Sequence, residues 1–263
     1  MIAKHESDFE YGYNNIISKD GKYSNMMMDF GVLRMKGGQV ETFLEDKMES
    51  AFLLTEGNIT IEWEGKSKKI ERDNPFDKEP HALHVPKNIE VKIISHVESQ
   101  VIVQQTVNQE DFDSKFYAPG DYRVEKFGEG LMNDTATRDV ITIFDYDNAP
   151  YSNMVLGEAI DYPGKWASFP PHAHAQPEIY YYRFNKPQGF GGCFIGDNVY
   201  KVEDHDTAAI KGGETHPQVT APGYAMYYCW MIRHFDDNPW TDRVDDPDHE
   251  WLYDKDAIIW PEE

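Results

Sequence analysis

Cysteine is scarce: the 263 residues hold two, Cys193 and Cys229, far apart and in no CxxC pattern. A disulfide framework or a thiolate zinc site is not expected, and free core cysteines in a reducing compartment are. Basic residues are also few, since 25 Lys and Arg against 47 Asp and Glu leave a net charge of −22. A field of that sign repels phosphate backbones and anionic lipid, which argues against nucleic-acid and membrane partners. An anionic small substrate needs local cations or a metal to overcome it. Long apolar runs are missing. No stretch approaches the ~18 apolar residues of a membrane span, and the opening MIAKHESDFEYGYNN has no apolar signal core. A cytoplasmic location is the expectation. Helical periodicity is nearly absent; the best candidates are QEDFDSKF (109–116) and a piece around HEWLYDKD (249–256).

Short β-like runs are plentiful. SAFLLTEGNITIEWEG (50–65), IEVKIISH (89–96), QVIVQQTV (100–107), RDVITIFDY (138–146), EIYYYRF (178–184), NVYKVE (198–203) and YAMYYCWMIR (224–233) are β-branched or aromatic. GNIT (57–60) and EGKS (64–67) read as turns between hairpin strands. Many short antiparallel strands predict an all-β sandwich or barrel. Residues 28–108 and 138–235 read as two sets of strands joined by a polar, glycine-containing segment at 114–138. The chain is therefore expected to divide into a lobe at 1–113 and a lobe at 114–263.

The chemistry concentrates in FPPHAHAQPEIYYYRF (169–184). Alternate residues of a strand share a face, so His172 and His174 point the same way, and Glu178 has the same parity. Further on, KGGETHPQ (211–218) carries His216 behind Gly212 and Gly213, which predict a sharp turn delivering it from a later strand. Neutral imidazoles and a carboxylate suit a borderline divalent metal, with Zn or Mn foremost and Fe or Ni compatible.

H-x-H-x3-E followed by a glycine-turn histidine resembles the two-part metal signature of the cupin superfamily, with Lys211 where proline is usual in the second part. PGKWASFPPHAHAQPEIYYYRFNKPQGF (163–190), HPQVTAPGYAMYY (216–228) and DPDHEW (246–251) together are similar to the 5-deoxy-glucuronate isomerase family of inositol catabolism, itself related to 4-deoxy-threo-hexosulose-uronate isomerase. The resemblance implies two tandem jelly-roll barrels, a bicupin, with the metal held by His172, His174, Glu178 and His216 in the carboxy-terminal lobe. The amino-terminal lobe, whose VETFLED (40–46) contains no HxH, reads as a degenerate copy without metal.

Around that centre, Tyr180, Tyr182 and Phe184 share the parity of Glu178 and are expected to face inward. Tyr182, Glu214 and His249 are the candidates for moving a proton; Lys165, Arg183 and Arg233 are the candidate substrate cations, although alternation turns Arg183 away from the ligands. The expected reaction is metal-assisted aldose–ketose isomerisation of an anionic deoxy sugar. A cupin-type dioxygenase and a non-catalytic sugar-acid-binding module are the alternatives. A homodimer is also expected.

Overall fold

The computed structural model describes residues 1–5, 8–77 and 79–261. The regular structure is almost entirely β. In the first half the strands are β1 (Ile2–Ala3), β2 (Gly12–Ile17), β3 (Asp29–Met35), β4 (Val40–Phe43), β5 (Met48–Trp63), β6 (Lys66–Arg72), β7 (Ala82–Val85), β8 (Val91–Ser95), β9 (Ser99–Val107) and β10 (Lys115–Tyr117). Then follow β11 (Arg123–Phe127), β12 (Arg138–Phe144), β13 (Met154–Asp161), β14 (Trp166–Ala167), β15 (His172–Ala173) and β16 (Glu178–Phe184). The last are β17 (Phe190–Ile195), β18 (Asn198–Glu203), β19 (Thr207–Ile210), β20 (Gln218–Thr220), β21 (Met226–Arg233) and β22 (Val244–Asp245). Among the described residues no helix is long and apolar enough to cross a membrane.

The chain divides into two compact units. One comprises Glu6–Tyr122 with Ile143–Val155; the other comprises Met1–His5, Arg123–Thr142 and Leu156–Glu263. In the first unit β10-β7-β5-β9-β3-β2 form one sheet, and β5 also pairs with β6 and β8. Leu33, Phe52, Leu54, Ile61, Val91 and Val103 belong to its apolar core.

Three sequence expectations are corrected by the structure. GNIT is not a turn, because β5 runs unbroken from Met48 to Trp63. Its first half pairs with β7 and β9, its second with β6 and β8. Gly57, at φ +114°, is the bend between them, and a Cβ there would collide with Ser99. A glycine with positive φ serves a bend in a strand as well as a turn. Nor is 109–116 a helix: Phe116 lies in β10 and stacks on Trp63 at 5.9 Å, while Phe112 packs on His84 at 4.8 Å. The second expected helix shrinks to one 3-10 turn, Glu250–Tyr253.

This unit also buries a histidine–glutamate pair. His84 Nε2 lies 2.7 Å from Glu49 Oε2, and both side chains are fully buried. Glu49 accepts further bonds from Ser152 Oγ (2.9 Å), the Asn153 amide (2.7 Å) and Asn108 Nδ2 (3.1 Å). The His84 ring is stacked on Phe144 at 4.4 Å.

In the second unit the main sheet has the order β1-β19-β16-β21-β13-β12-β11. A second sheet is β14-β20-β17-β18, and β15 pairs with β22. EIYYYRF is aromatic throughout because β16 is central and covered on both faces: Ile179 and Tyr181 on one, Glu178, Tyr180 and Tyr182 on the other are all buried. Burying each large side chain contributes about 1.5–3 kcal/mol.

Candidate metal centre

Three separated segments converge in the second unit. β15 begins at His172, the loop after it carries His174, and β16 opens on Glu178. The KGGETH turn then presents His216 just before β20. The glycines act as expected, each in its own way. Gly213 takes φ +84° and its amide donates to His174 O at 2.7 Å. Gly212 lies so close to the backbone of Ala175 that any Cβ would collide with its carbonyl. The turn is thereby laid directly on the HAHA segment.

The ligand atoms of His174, Glu178 and His216 lie within 4.8 Å of one another, all buried. Oε2 of Glu178 is 3.2 Å from His174 Nε2 and 3.1 Å from His216 Nε2. His172 stands beside them, its ring edge-on to His216 with centroids 5.1 Å apart.

The other nitrogen of each ring decides the chemistry. His174 Nδ1 is 2.9 Å from Gln176 O, His216 Nδ1 is 2.9 Å from Glu214 O, and His172 Nδ1 is 3.2 Å from Pro170 O. A carbonyl can only accept, so each Nδ1 carries a hydrogen and each Nε2 of a neutral ring is a bare lone pair. With their rings neutral, His174 and His216 aim lone pairs at a carboxylate oxygen; with a proton on Nε2 they donate to it instead. In the neutral ring His216 Nε2 is buried without a hydrogen-bond partner. Facing acceptors repel unless a proton or a cation lies between them. Two ligands held ~2.1 Å from one zinc-like ion stand ~3.0–3.4 Å apart in tetrahedral or octahedral geometry, which is the spacing of each histidine nitrogen from Glu178 Oε2. The donor set and its clamped tautomers therefore fit a divalent transition metal.

Where no cation lies between the facing acceptors a proton takes its place: burial lowers His216, but its hydrogen bond to Glu178 and the attraction of that carboxylate outweigh it and raise it above its ordinary value. Burial pushes the Glu178 carboxyl up, but the imidazoles of His174 and His216 outweigh it and hold it at about 2. Burial, then the neighbouring His216, depress His172 to about 2, so it stays neutral.

The cluster lies on a cavity of about 170 Å³. At ~30 Å³ per water that is the space of about six waters, the scale of one small sugar. Tyr180, Tyr228 and Ser168 line it beside the histidines, and Trp240 flanks His174 with ring centroids 6.1 Å apart. Tyr180 OH is 3.2 Å from Ser168 Oγ. Burial raises the phenols of Tyr180 and Tyr228 well above their ordinary value, so both keep their protons.

Several residues singled out from the sequence are not on that cavity. Tyr182 is fully buried behind it, its hydroxyl donating to Gln218 Oε1 at 2.7 Å, and Gln218 Nε2 in turn donates to His216 O at 2.7 Å. It therefore supports the segment of His216 without meeting the cavity. Glu214 contributes its carbonyl to His216, while its side chain does not line the space. His249 packs 6.4 Å from Phe169, outside the lining. Arg183 has turned to Asp204 at 3.1 Å, as its parity requires. Arg233 meets Asp236 at 3.4 Å, and Lys165 stands in the loop before β14. The cations on the cavity are instead Arg123, Arg138 and Arg243. No short motif marks them, and only strand order brings β11 and β12 to the site.

All-β sheets with a buried His–Glu–His cluster give a cupin-type fold with a candidate metal centre. Over residues 1–252 the chain matches the KduI/IolB family, and it belongs to that family. It is 24% identical to the 5-deoxy-glucuronate isomerase of Geobacillus thermodenitrificans over 85% of each chain. It is also 24% identical to that of Bacillus velezensis, over 97% of this chain and 99% of the other. The crystal structure of an IolB-like protein from Salmonella typhimurium LT2 superposes with a TM-score of 0.84 at 22% identity, covering 95% of this chain and 98% of that one.

Proposed function

We propose that this chain is a metal-dependent aldose–ketose isomerase acting on 5-deoxy-glucuronate, with His172, His174, Glu178 and His216 as the metal ligands. The observation that carries the metal is the set of clamped imidazoles aimed at one carboxylate oxygen on the floor of a sugar-sized cavity. Membership of the KduI/IolB family supports the reaction and substrate. The unit bearing Arg123–Thr142 and Leu156–Glu263 holds the site; the other unit, which has Glu49 and His84 locked to one another, is read as its metal-free counterpart.

A bound divalent ion supplies a Lewis acid that polarises the sugar carbonyl and favours loss of the neighbouring proton. The chain's own groups do the rest. Tyr180 and Tyr228 keep their hydrogens and donate to sugar oxygens on which negative charge grows. Trp230, Ile232 and Trp240 give the cavity apolar walls. Tyr182, Glu214 and His249 lie off the cavity, so the hydrogen bonds to the sugar oxygens are assigned to the tyrosine pair with Ser168.

The test is elemental analysis of untagged protein together with NMR observation of 5-deoxy-glucuronate. Expected are about one metal per chain, conversion to the ketose, and loss of both in His174→Ala. Conversion persisting in fully metal-stripped protein would overturn the metal role. Oxygen uptake with an enediol substrate and no isomerisation would favour the dioxygenase alternative.

A further inference from the structure

The cavity is cationic in a chain whose net charge is −22. Arg123, Arg138 and Arg243 outnumber the acidic lining residues Glu125 and Glu178. Arg138 is the unusual member, being 5% exposed. Burying a guanidinium costs several kcal/mol unless a partner compensates. Here the compensation is incomplete. Nη1 donates to Ala136 O at 2.8 Å, and the guanidinium lies 5.4 Å from the centre of the Phe127 ring. The neighbouring carboxylate, Asp161, is fully buried and neither of its oxygens has a hydrogen-bond partner, so it closes no fork on Arg138.

In the sheet order β16-β21-β13-β12, Arg138 stands three strands from Glu178. At ~4.8 Å per strand that is on the order of 14 Å along the curved sheet, shortened by the length of the arginine side chain. Arg243 lines the same cavity from the segment running into β22, which pairs with the His172 strand, and its Nε lies 3.4 Å from Asp245. A ligand touching the His–Glu–His cluster at one end therefore meets buried positive charge at the other.

We propose that Arg138, assisted by Arg243, binds the carboxylate of the sugar acid and so selects uronates over neutral sugars. This rests on the isomerase reading of the same cavity. A carboxylate offers the two acceptors that a guanidinium fork is shaped to receive. It brings the counter-charge that Asp161 withholds: burial pushes that carboxyl up to about 8, against the pull of Arg138, leaving it protonated at neutral pH. The proposal also explains how an anion enters an acidic protein.

The experiment compares 5-deoxy-glucuronate with its C6 alcohol, 5-deoxy-glucose, in wild type, Arg138→Gln, Arg138→Lys and Arg243→Gln. Loss of a buried charge-paired contact predicts at least a ~30-fold fall in kcat/KM for the acid in Arg138→Gln, carried mainly by KM. The alcohol should change by less than ~3-fold, and Arg138→Lys should recover part of the acid preference. Equal losses on both substrates would overturn the proposal. Binding of glucarate, a non-isomerising dicarboxylate, to metal-stripped protein is measured by calorimetry in parallel. If wild type fails to isomerise the acid, the isomerase reading falls and this arm decides alone: weaker binding in Arg138→Gln supports the anion site, and unchanged binding refutes it. Should Arg138→Gln fail to fold, the half-buried Arg243→Gln carries both arms, with an expected ~3- to 10-fold loss confined to the acids; no such loss refutes the proposal.

Discussion

Gly212 sits against the carbonyl of Ala175, with no room for a single added carbon. That contact joins the turn before His216 to the segment that carries His174. Gly212→Ala must push the two apart, and a displacement on the order of 1 Å costs about 10²-fold in rate. The expected result is a folded protein with much reduced metal content and turnover, read by elemental analysis and circular dichroism. Full metal loading in this variant would show that the contact does not set the site.

The paired tyrosines of β16 should separate cleanly. Tyr182 bonds Gln218 behind the cavity, whereas Tyr180 faces into it. Tyr182→Phe leaves Gln218 Oε1 without its donor and should cost about 1–3 kcal/mol of stability with kcat reduced less than ~10-fold. Tyr180→Phe removes a donor to the developing negative charge and should lower kcat by about 10²-fold or more at little cost in stability. Steady-state kinetics beside urea unfolding checks both, and the reverse ranking would put Tyr182 back in the catalytic role.

Chelation provides a third measurement. A ligand that binds only the folded chain stabilises it by about 2.7 kcal/mol at a hundredfold excess over Kd. Chelator should therefore lower the melting temperature of wild type and leave that of His216→Ala unmoved. Equal shifts in the two proteins would count against His216 as a ligand.

Asp161 should leave a signature in pH. Its carboxyl, ordinarily at 3.8, is pushed by burial to about 8 in the folded chain. The folded state thus holds its proton more tightly than the unfolded state. Its stabilising contribution is complete below about pH 4 and drains away as pH rises towards 8. The slope is at most ~1.4 kcal/mol per pH unit. Asp161→Asn lacks it, so the variant should gain on wild type steadily between pH 5 and 8 in urea midpoints. Parallel curves would mean that Asp161 is ionised and compensated.

How much of this was legible in the sequence depends on the range over which each contact is made. The spacing of His172, His174 and Glu178 is local, and strand parity placed Tyr180 on their side while turning Arg183 away. The glycine pair at 212–213 announced a turn, and the structure gives each glycine a separate task. Gly57 misled because a positive φ serves a bent strand as well as a hairpin. Phe112 and Phe116 misled because their four-residue spacing imitates a helix face, although they pack on different partners. Arg138 was invisible: it precedes Glu178 by 40 positions in the numbering, and only the hydrogen-bonded order of β16, β21, β13 and β12 makes them neighbours on one surface.

Each of the histidine clamps reaches a carbonyl just two residues away. Ring orientation is therefore settled inside a tripeptide, and the rest of the unit has only to bring three such tripeptides together. Warming should not loosen the imidazoles one at a time; the cation should leave in a single event, when the strands that hold those tripeptides part company.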